Sequence, residues 1–490
     1  MTDPTPAAPC ARPLDLRFLA SHPVRRVAFV DAPPALVGAC RATDLEVVHD
    51  HADLVLSSRR AAPRAALLRA PTIVALGSAR RPLAAAGYDV STFLVRDGRQ
   101  GPRLVVPLQP RAAAVEAVLR PMAGRGLVKR LATRLLLAAM RAGLPVGHVL
   151  TVGTRRPGMP GLLQAATALG LPPDVIWHLR AGEGDDLQRL VWLCAEPGAT
   201  EPGWAVKTTR MRDYATPFEG DAAALALVAA TPASVRAHAP RFLGLIEVDG
   251  FHGSVESAAP GMPLHDLLQG CSASAAIERV RSIAAWAIEL AAATTQPPPA
   301  LGPELDRLRR AVIPAWRRLG VTDDLVASLP SLPAVVQHGD LGLWNIVGDA
   351  TRFTVIDWES AQPAGLPLWD VAYFLTDALG FLAAPGADDR RKLEAMVALV
   401  RGELDTARVL FELLGVAARA SGVPLDAVGS VVGLGWLHHG LSARDRAEER
   451  AERGAGAPTV TPGLMAALAE RWVTDPRLGG VWPAFREGGA

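Results

Sequence analysis

The chain has 490 residues, half of them hydrophobic and a fifth charged, with a formal net charge of +2; that is enough for two or three domains with well-buried cores. No apolar run approaches the ~18–20 residues of a membrane-spanning helix, and the first 20 residues, with Asp3, Asp15 and several prolines, lack the basic start and apolar core of a secretory signal. The four cysteines (Cys10, Cys40, Cys194, Cys271) are far apart and unpatterned, which fits a reducing cytoplasm and argues against zinc.

Charge is unevenly spread. Residues 1–150 hold 21 Lys and Arg against 10 Asp and Glu, so the remainder is acidic. A basic front half of this kind favours either an anionic surface or the acidic second half, and pairing with the acidic second half is the preferred expectation. Only Lys129, Lys207 and Lys392 are lysines. In so Arg-rich a background, a retained lysine points to a place where the flat guanidinium fork does not fit.

In chain order, residues 1–22 are Pro- and Ala-rich and are expected to be a loose tail. Residues 23–110 alternate strand-like runs (RRVAFVD, LEVVH, ADLVLSS, TIVALG, VSTFLVR, RLVVPL) with Ala/Arg-rich helical stretches, the pattern of a small α/β domain with a largely parallel sheet. The last two runs flank the hairpin-like RDGRQGP, and this ending weakly resembles the closing strands of a methyltransferase-like Rossmann domain. The glycine-rich turn expected after the first strand is missing from VAFVDAPPALVG, so a degenerate, cofactor-free Rossmann-like domain is expected.

Residues 111–145 read as a helical linker. Within it, 127–143 form a basic amphipathic helix with Lys129, Arg130, Arg134 and Arg141 beside a Leu-rich face. Packing between domains is preferred over peripheral membrane contact. From 146 a second module begins, with a short helix at about 159–170 and three strands: VIWHLRAG, QRLVWLCAEPG and WAVKTTR. The first turn between them holds Gly182 and Gly184; a helix in PFEGDAAALALVAA follows, and then residues 242–268 as a hairpin and a turn into a helix. From 274 the chain reads as helical, ASAAIERVRSIAAWAIELAAA being a core helix.

The helices are interrupted at Val336–Leu375. A loop there carries His338, Asp340 and Asn345 in the spacing H-x-D-x-x-x-x-N, and a hairpin then ends on Asp357. An amide and a carboxylate brought together by a hairpin suit Mg2+, a hard ion usually held by one or two protein oxygens plus substrate phosphates. A second carboxylate five residues before the Asn can accept a proton from an incoming hydroxyl, as in kinase-type phosphoryl transfer.

HGDLGLWN, VIDWESA and GLPLWDVA, in that order, closely resemble the aminoglycoside phosphotransferase and choline kinase-like family, which shares the protein-kinase fold. The resemblance implies a bilobal fold, with a small lobe over 146–260 and a helical large lobe over 261–490. It implies that Asp340 is the catalytic base, His338 braces the loop, Asn345 and Asp357 hold Mg2+, and Asp370 is a structural acid at a helix start. Gly182 and Gly184 would lie over the nucleotide phosphates. Lys207 would grip the α/β-phosphates while pairing with Glu219, Asp221 being the competitor. Glu256, Ser257, Ala258 and Ala259 would edge the base through main-chain contacts, which do not distinguish ATP from GTP.

The family reading makes the protein a cytoplasmic small-molecule O-phosphotransferase, with no nucleic acid as partner. A sugar or polysaccharide precursor is the first acceptor and an aminoglycoside the second. Choline would need an aromatic cage, and the chain has only three tyrosines. The rival is a nucleotide-binding pseudokinase scaffold whose front domain carries the activity. Only about a dozen residues separate Asp357 from Asp370, leaving no room for a long activation loop. Glu394, Glu403, Asp405 and Glu412 are expected on solvated helix faces. His438 and His439, adjacent on a helix, make a poor chelate. Trp344 is expected in the core, with lining of the loop as the alternative.

Overall fold

The computed structural model describes residues 16–475 except 35–36, 38–39, 41–43, 99–100, 109–130, 132–134, 136–147, 182–188, 200, 328, 330 and 453–462, together with Leu478. The chain forms two compact units: residues 1–218 with 241–260, and residues 219–240 with 261–490. The linker helix, including Lys129, Arg130, Arg134 and Arg141, lies outside the described residues save for Leu131 and Leu135, both exposed. Gly182, Gly184 and residues 453–462 also fall outside them.

The first unit is organised on one 12-stranded sheet. Its elements in chain order are β1 (Arg26–Val30), β2 (Glu46–Val47), β3 (Leu54–Ser58), α1 (Ala62–Leu67), β4 (Thr72–Leu76), α2 (Arg80–Ala85), β5 (Asp89–Gly98), β6 (Gly101–Pro107), β7 (His148–Thr154), α3 (Gly161–Ala166), β8 (Ile176–Ala181), β9 (Leu190–Ala195), β10 (Trp204–Thr208), β11 (Phe242–Val248) and β12 (Phe251–Ser257). Strands β2, β1, β3 and β4 run parallel. Their near-continuous apolar sequence follows from burial on both faces: Leu54 and Leu56 enter one core cluster and Val55 the other.

Beyond β4 the sheet turns antiparallel. The β5–β6 hairpin falls where the sequence places it, but β7 is inserted between β4 and β5. The stretch read as the start of the second module therefore contributes a strand to the first. Leu104 and Val105 of β6 then pair with Arg180 and Leu179 of β8. This joins the front strands to the antiparallel β8-β9-β10-β12-β11 series and leaves neither group an open edge at the join.

The tail expectation fails for residues 16–20. Leu16, Phe18 and Leu19 are buried in the same cluster as Trp192, Val206 and Val255. Arg17 pairs with Asp44 at 2.7 Å, donates to the Arg210 carbonyl at 2.8 Å, and stacks its guanidinium 4.4 Å from the Phe251 ring centroid. Arg25 and Arg212 both meet Asp249. Of these pairs only Arg25–Asp249 joins a basic group of residues 1–150 to an acid of the remainder, while Arg17–Asp44 lies within the front part.

The second unit is mainly helical. It comprises α4 (Ala233–Arg236), β13 (Met262–Pro263), α5 (Leu264–Gln269), α6 (Ala273–Ala293), β14 (Val335–Gln337), β15 (Ile346–Gly348), β16 (Phe353–Val355), β17 (Gln362–Gly365), α7 (Trp369–Ala383), α8 (Asp389–Val400), α9 (Ala407–Ala420), α10 (Val428–Glu452) and α11 (Leu464–Thr474). Ser272 caps α6 by accepting from the Ala275 N–H, and Val280, Ile283, Ala284, Ala287 and Leu290 bury one helical face. Helix α7, with Phe374, Leu375, Ala378 and Leu379 fully buried, packs on α6, α8, α9 and α10 and meets the turn Leu343–Asn345.

Candidate active site

The chain leaves β14 through His338, which is fully buried. Its Nε2 meets the Ile356 carbonyl at 2.9 Å and its Nδ1 meets the Asp340 N–H at 3.2 Å. Only the tautomer with the proton on Nε2 serves both contacts. His338 therefore ties the loop carrying Asp340 to the strand end carrying Asp357. Gly339 has φ +80, and a Cβ there would lie 2.3 Å from the Ser360 carbonyl oxygen. No other residue fits that approach.

Hairpin β15–β16 pairs Ile346 with Val355 and Gly348 with Phe353. Asp349 closes its turn, accepting from the Thr351 N–H at 2.8 Å and from the Arg352 Nε at 2.8 Å. These bonds, led by the Thr351 amide, hold the Asp349 carboxyl well below the usual carboxylate range. Asn345 precedes β15 and Asp357 lies just beyond the end of β16. The Ile356 N–H donates to the Asn345 carbonyl at 2.8 Å, so Asn345 lies across from Ile356, the residue before Asp357. Asp357 takes the left-handed conformation (φ 70), one that Asp tolerates and that recurs at functional sites. The Asn345 amide nitrogen donates to the Asp340 carbonyl at 2.8 Å and to its carboxylate at 3.0 Å. The structure thus brings Asp340, Asn345 and His338 together and sets Asp357 beside them in the hairpin.

Asp370 lies in the first turn of α7, where the sequence allows a helix cap. It instead turns away from its own helix: its two oxygens accept from the His338 N–H at 2.6 Å and the Gly339 N–H at 3.0 Å. Burial pushes its carboxyl up, while His338 and the two amides pull it back. Asp377, two turns on, does the same for the far end of the loop, accepting from the Leu343 N–H at 2.9 Å. Burial pushes Asp377 up as well, the Leu343 amide opposes it, and Asp340 adds to the rise. Sequence reasoning missed Asp377. Its seven-residue spacing from Asp370, which puts both on one helix face, was the available signal.

In the first unit, Lys207 on β10 is buried and pairs with Glu256 on β12 at 2.7 Å. The strands align Lys207 with Ser254 and Ala205 with Glu256, so the two side chains are diagonal neighbours on one sheet face. Glu219, expected as the partner, is exposed on the first turn of the helix Thr216–Ala229, and Asp221 is fully buried. Glu256 was expected to offer only main chain, and here its carboxylate is a partner of the lysine. The Ser257 and Ala258 amides are engaged at the sheet end, bonding to the Arg241 and Gly203 carbonyls. Ala259 follows in irregular chain.

Residues 188–395 match the family model described as the phosphotransferase enzyme family, APH. This segment belongs to the APH family. It takes in the Lys207 strand, the loop from His338 to Asn345 and α7, and the family it matches is one of phosphotransferase enzymes. Among solved structures, a glucosamine kinase in complex with glucosamine, ADP and inorganic phosphate is 16% identical, covering 66% of this chain and 84% of that one, with a TM-score of 0.37. The aminoglycoside phosphotransferase APH(3'')-Id from Streptomyces rimosus ATCC10970 is 20% identical over 56% of this chain and 95% of that one, with a TM-score of 0.34. The bifunctional kinase-methyltransferase WbdD is 11% identical over 84% and 88%, with a TM-score of 0.27. Likenesses at these TM-scores assign neither an acceptor nor a residue's role. Among curated proteins, none matches the chain.

Proposed function

We propose that the protein moves the γ-phosphate of ATP, or of GTP, to a hydroxyl of a small molecule, with Asp340 as the base. The observation that carries this reading is the Asn345 amide bridging to Asp340 through two hydrogen bonds. The bridge orients the Asp340 carboxylate. It also spends the nitrogen side of the amide, so that Asn345 Oδ1 remains as a ligand oxygen. Together with the Asp357 carboxylate it makes a hard-oxygen pair of the kind Mg2+ takes when phosphates and water complete the shell. When bound, that ion neutralises charge on the transferring phosphate.

The chain's own residues do the rest. Asp340 orients the acceptor hydroxyl and accepts its proton as the oxygen attacks the γ-phosphorus and the bond to the departing nucleoside diphosphate breaks. His338 and Asp370 hold the loop so that this carboxylate needs no rearrangement during reaction. Lys207 holds nucleotide phosphates, with Glu256 fixing its ammonium. Main chain around Ala259 edges the base. The parallel strands β2-β1-β3-β4 support reading the front part as a degenerate Rossmann-like element. Four cysteines that are far apart and unpatterned in the sequence fit a cytoplasmic setting.

The test compares Asp340→Asn with Asp357→Ala in Mg-ATP binding and in phosphate transfer to a panel of sugars, aminoglycosides and amino alcohols. Asp340→Asn is expected to lower kcat about 10³-fold or more, within the range set by general-base and orientation effects, with Mg-ATP affinity nearly unchanged. Asp357→Ala is expected to weaken Mg-ATP binding as well. Small, equal effects of the two on turnover would refute the assignment.

A further inference from the structure

Trp344 sits inside the catalytic loop, yet its side chain takes no part in the chemistry above. Its neighbours are both held: the Leu343 N–H by Asp377 and the Asn345 amide by Asp340. Against the expectation of core packing it is 59% exposed, and it is the only aromatic so exposed among the described residues. Trp192, Trp316, Trp358 and Trp436, by contrast, are fully buried.

The exposed indole is nevertheless fixed. One face stacks on the His265 ring at 4.3 Å between centroids and 19° between planes. His265 leans on Phe381 at 4.7 Å, and Asp266 meets its Nδ1 at 3.2 Å. A rigid aromatic plate, backed on one side and open on the other, therefore stands in the same loop as Asp340. Polar groups gather there too. A methyl group placed on Gly342 would lie 3.5 Å from both the Asp377 carboxylate and the Tyr373 hydroxyl, and Tyr373 is itself stacked on His439 at 4.0 Å.

A plate with hydrogen-bonding groups beside it suits a ring that is apolar on its C–H face and polar at its rim. A quaternary ammonium instead calls for several aromatic walls around it. Here only His265 stacks on the indole, Phe381 being tilted at 47° against His265, and among the described residues no other ring meets Trp344. We propose that the Trp344–His265 stack seats the acceptor, and that the acceptor is a sugar. Its pyranose ring lies C–H face down on Trp344, one hydroxyl reaches Asp340, and a neighbouring hydroxyl reaches Asp377 and Tyr373. The inference rests on the phosphotransfer reading and names its substrate class.

The test uses the full-length protein and saturation-transfer NMR with methyl α-D-glucopyranoside, methyl α-D-mannopyranoside, methyl β-D-galactopyranoside, glucosamine and choline. Saturation of one face of a pyranoside ring is expected, and none of choline. For the sugar that is phosphorylated, Trp344→Ala should raise KM at least tenfold with kcat within threefold, while Trp344→Phe stays within threefold on both. Circular dichroism checks folding, which an exposed side chain should not disturb, and His265→Ala gives an independent loss of the plate's support. The proposal is overturned if choline saturates and the sugars do not, if no pyranoside saturates, if Trp344→Ala leaves KM within twofold, or if only kcat falls. The two readings fail separately. Trp344-dependent sugar binding without any phosphate transfer refutes the phosphotransfer reading, and transfer to an acyclic alcohol alone refutes the sugar seat.

Discussion

Asp370→Ala removes the common acceptor of the His338 and Gly339 amides, bonded at 2.6 and 3.0 Å. Hydrogen bonds to a charged group contribute about 1.5–3 kcal/mol each, so about 3–6 kcal/mol is lost. Part of this returns, because burial disfavours the carboxylate and its removal relieves that desolvation. The net local loss is set at about 2–4 kcal/mol, which corresponds to roughly 30- to 1000-fold faster opening of the loop. Hydrogen exchange of the peptide over 335–343, read by mass spectrometry under native conditions, measures this opening directly. Steady-state kinetics should show kcat down about 100-fold, because misplacing a catalytic group by about 1 Å is enough for that. Mg-ATP affinity should change little, since Asn345 and Asp357 are held by their own hairpin. Asp370→Asn, which keeps one acceptor, should fall between. Exchange within threefold of wild type, or unchanged kcat in a folded Asp370→Ala protein, would show that strands β14 and β17 hold the loop without the carboxylate.

Gly339→Ala should be nearly as damaging. The added methyl meets the Ser360 carbonyl at 2.3 Å in a backbone with φ +80, so a local destabilisation of at least about 2 kcal/mol is expected, with kcat falling in step; full activity would refute it. His178 on β8 is buried, and desolvation depresses its pKa from 6.5 to about 3. The folded first unit therefore binds fewer protons than the unfolded chain between those values. The contribution is present above pH 6.5 and is lost as pH falls toward 3, at up to about 1.4 kcal/mol per pH unit. His178→Leu should flatten that acid slope in urea titrations followed on the first unit; an unchanged slope would place the acid sensitivity elsewhere.

The residues proposed for the chemistry were legible because they are local. His338, Asp340, Asn345 and Asp357 lie close together in the chain, and two tight turns suffice to bring them together. Strand runs and helical periods are likewise local signals, which is why β5–β6 and α6 lie where the pattern puts them. What failed depended on distant partners. Lys207 reaches Glu256 because β12 lies beside β10, and a period-two pattern does not say which strand will be its neighbour. The same holds for β7, which slips between β4 and β5, and for Leu16–Leu19, whose burial is decided by strands far along the chain.

Sequence alone, then, determined the loop, its family resemblance and the helical character of the second unit. Only tertiary structure decided which carboxylate meets Lys207, that Asp370 and Asp377 together clamp the loop, and that Trp344 faces solvent on a stacked histidine. Backbone turns and side-chain periodicity are written into neighbouring residues, whereas burial and ion pairing depend on what the rest of the chain brings alongside.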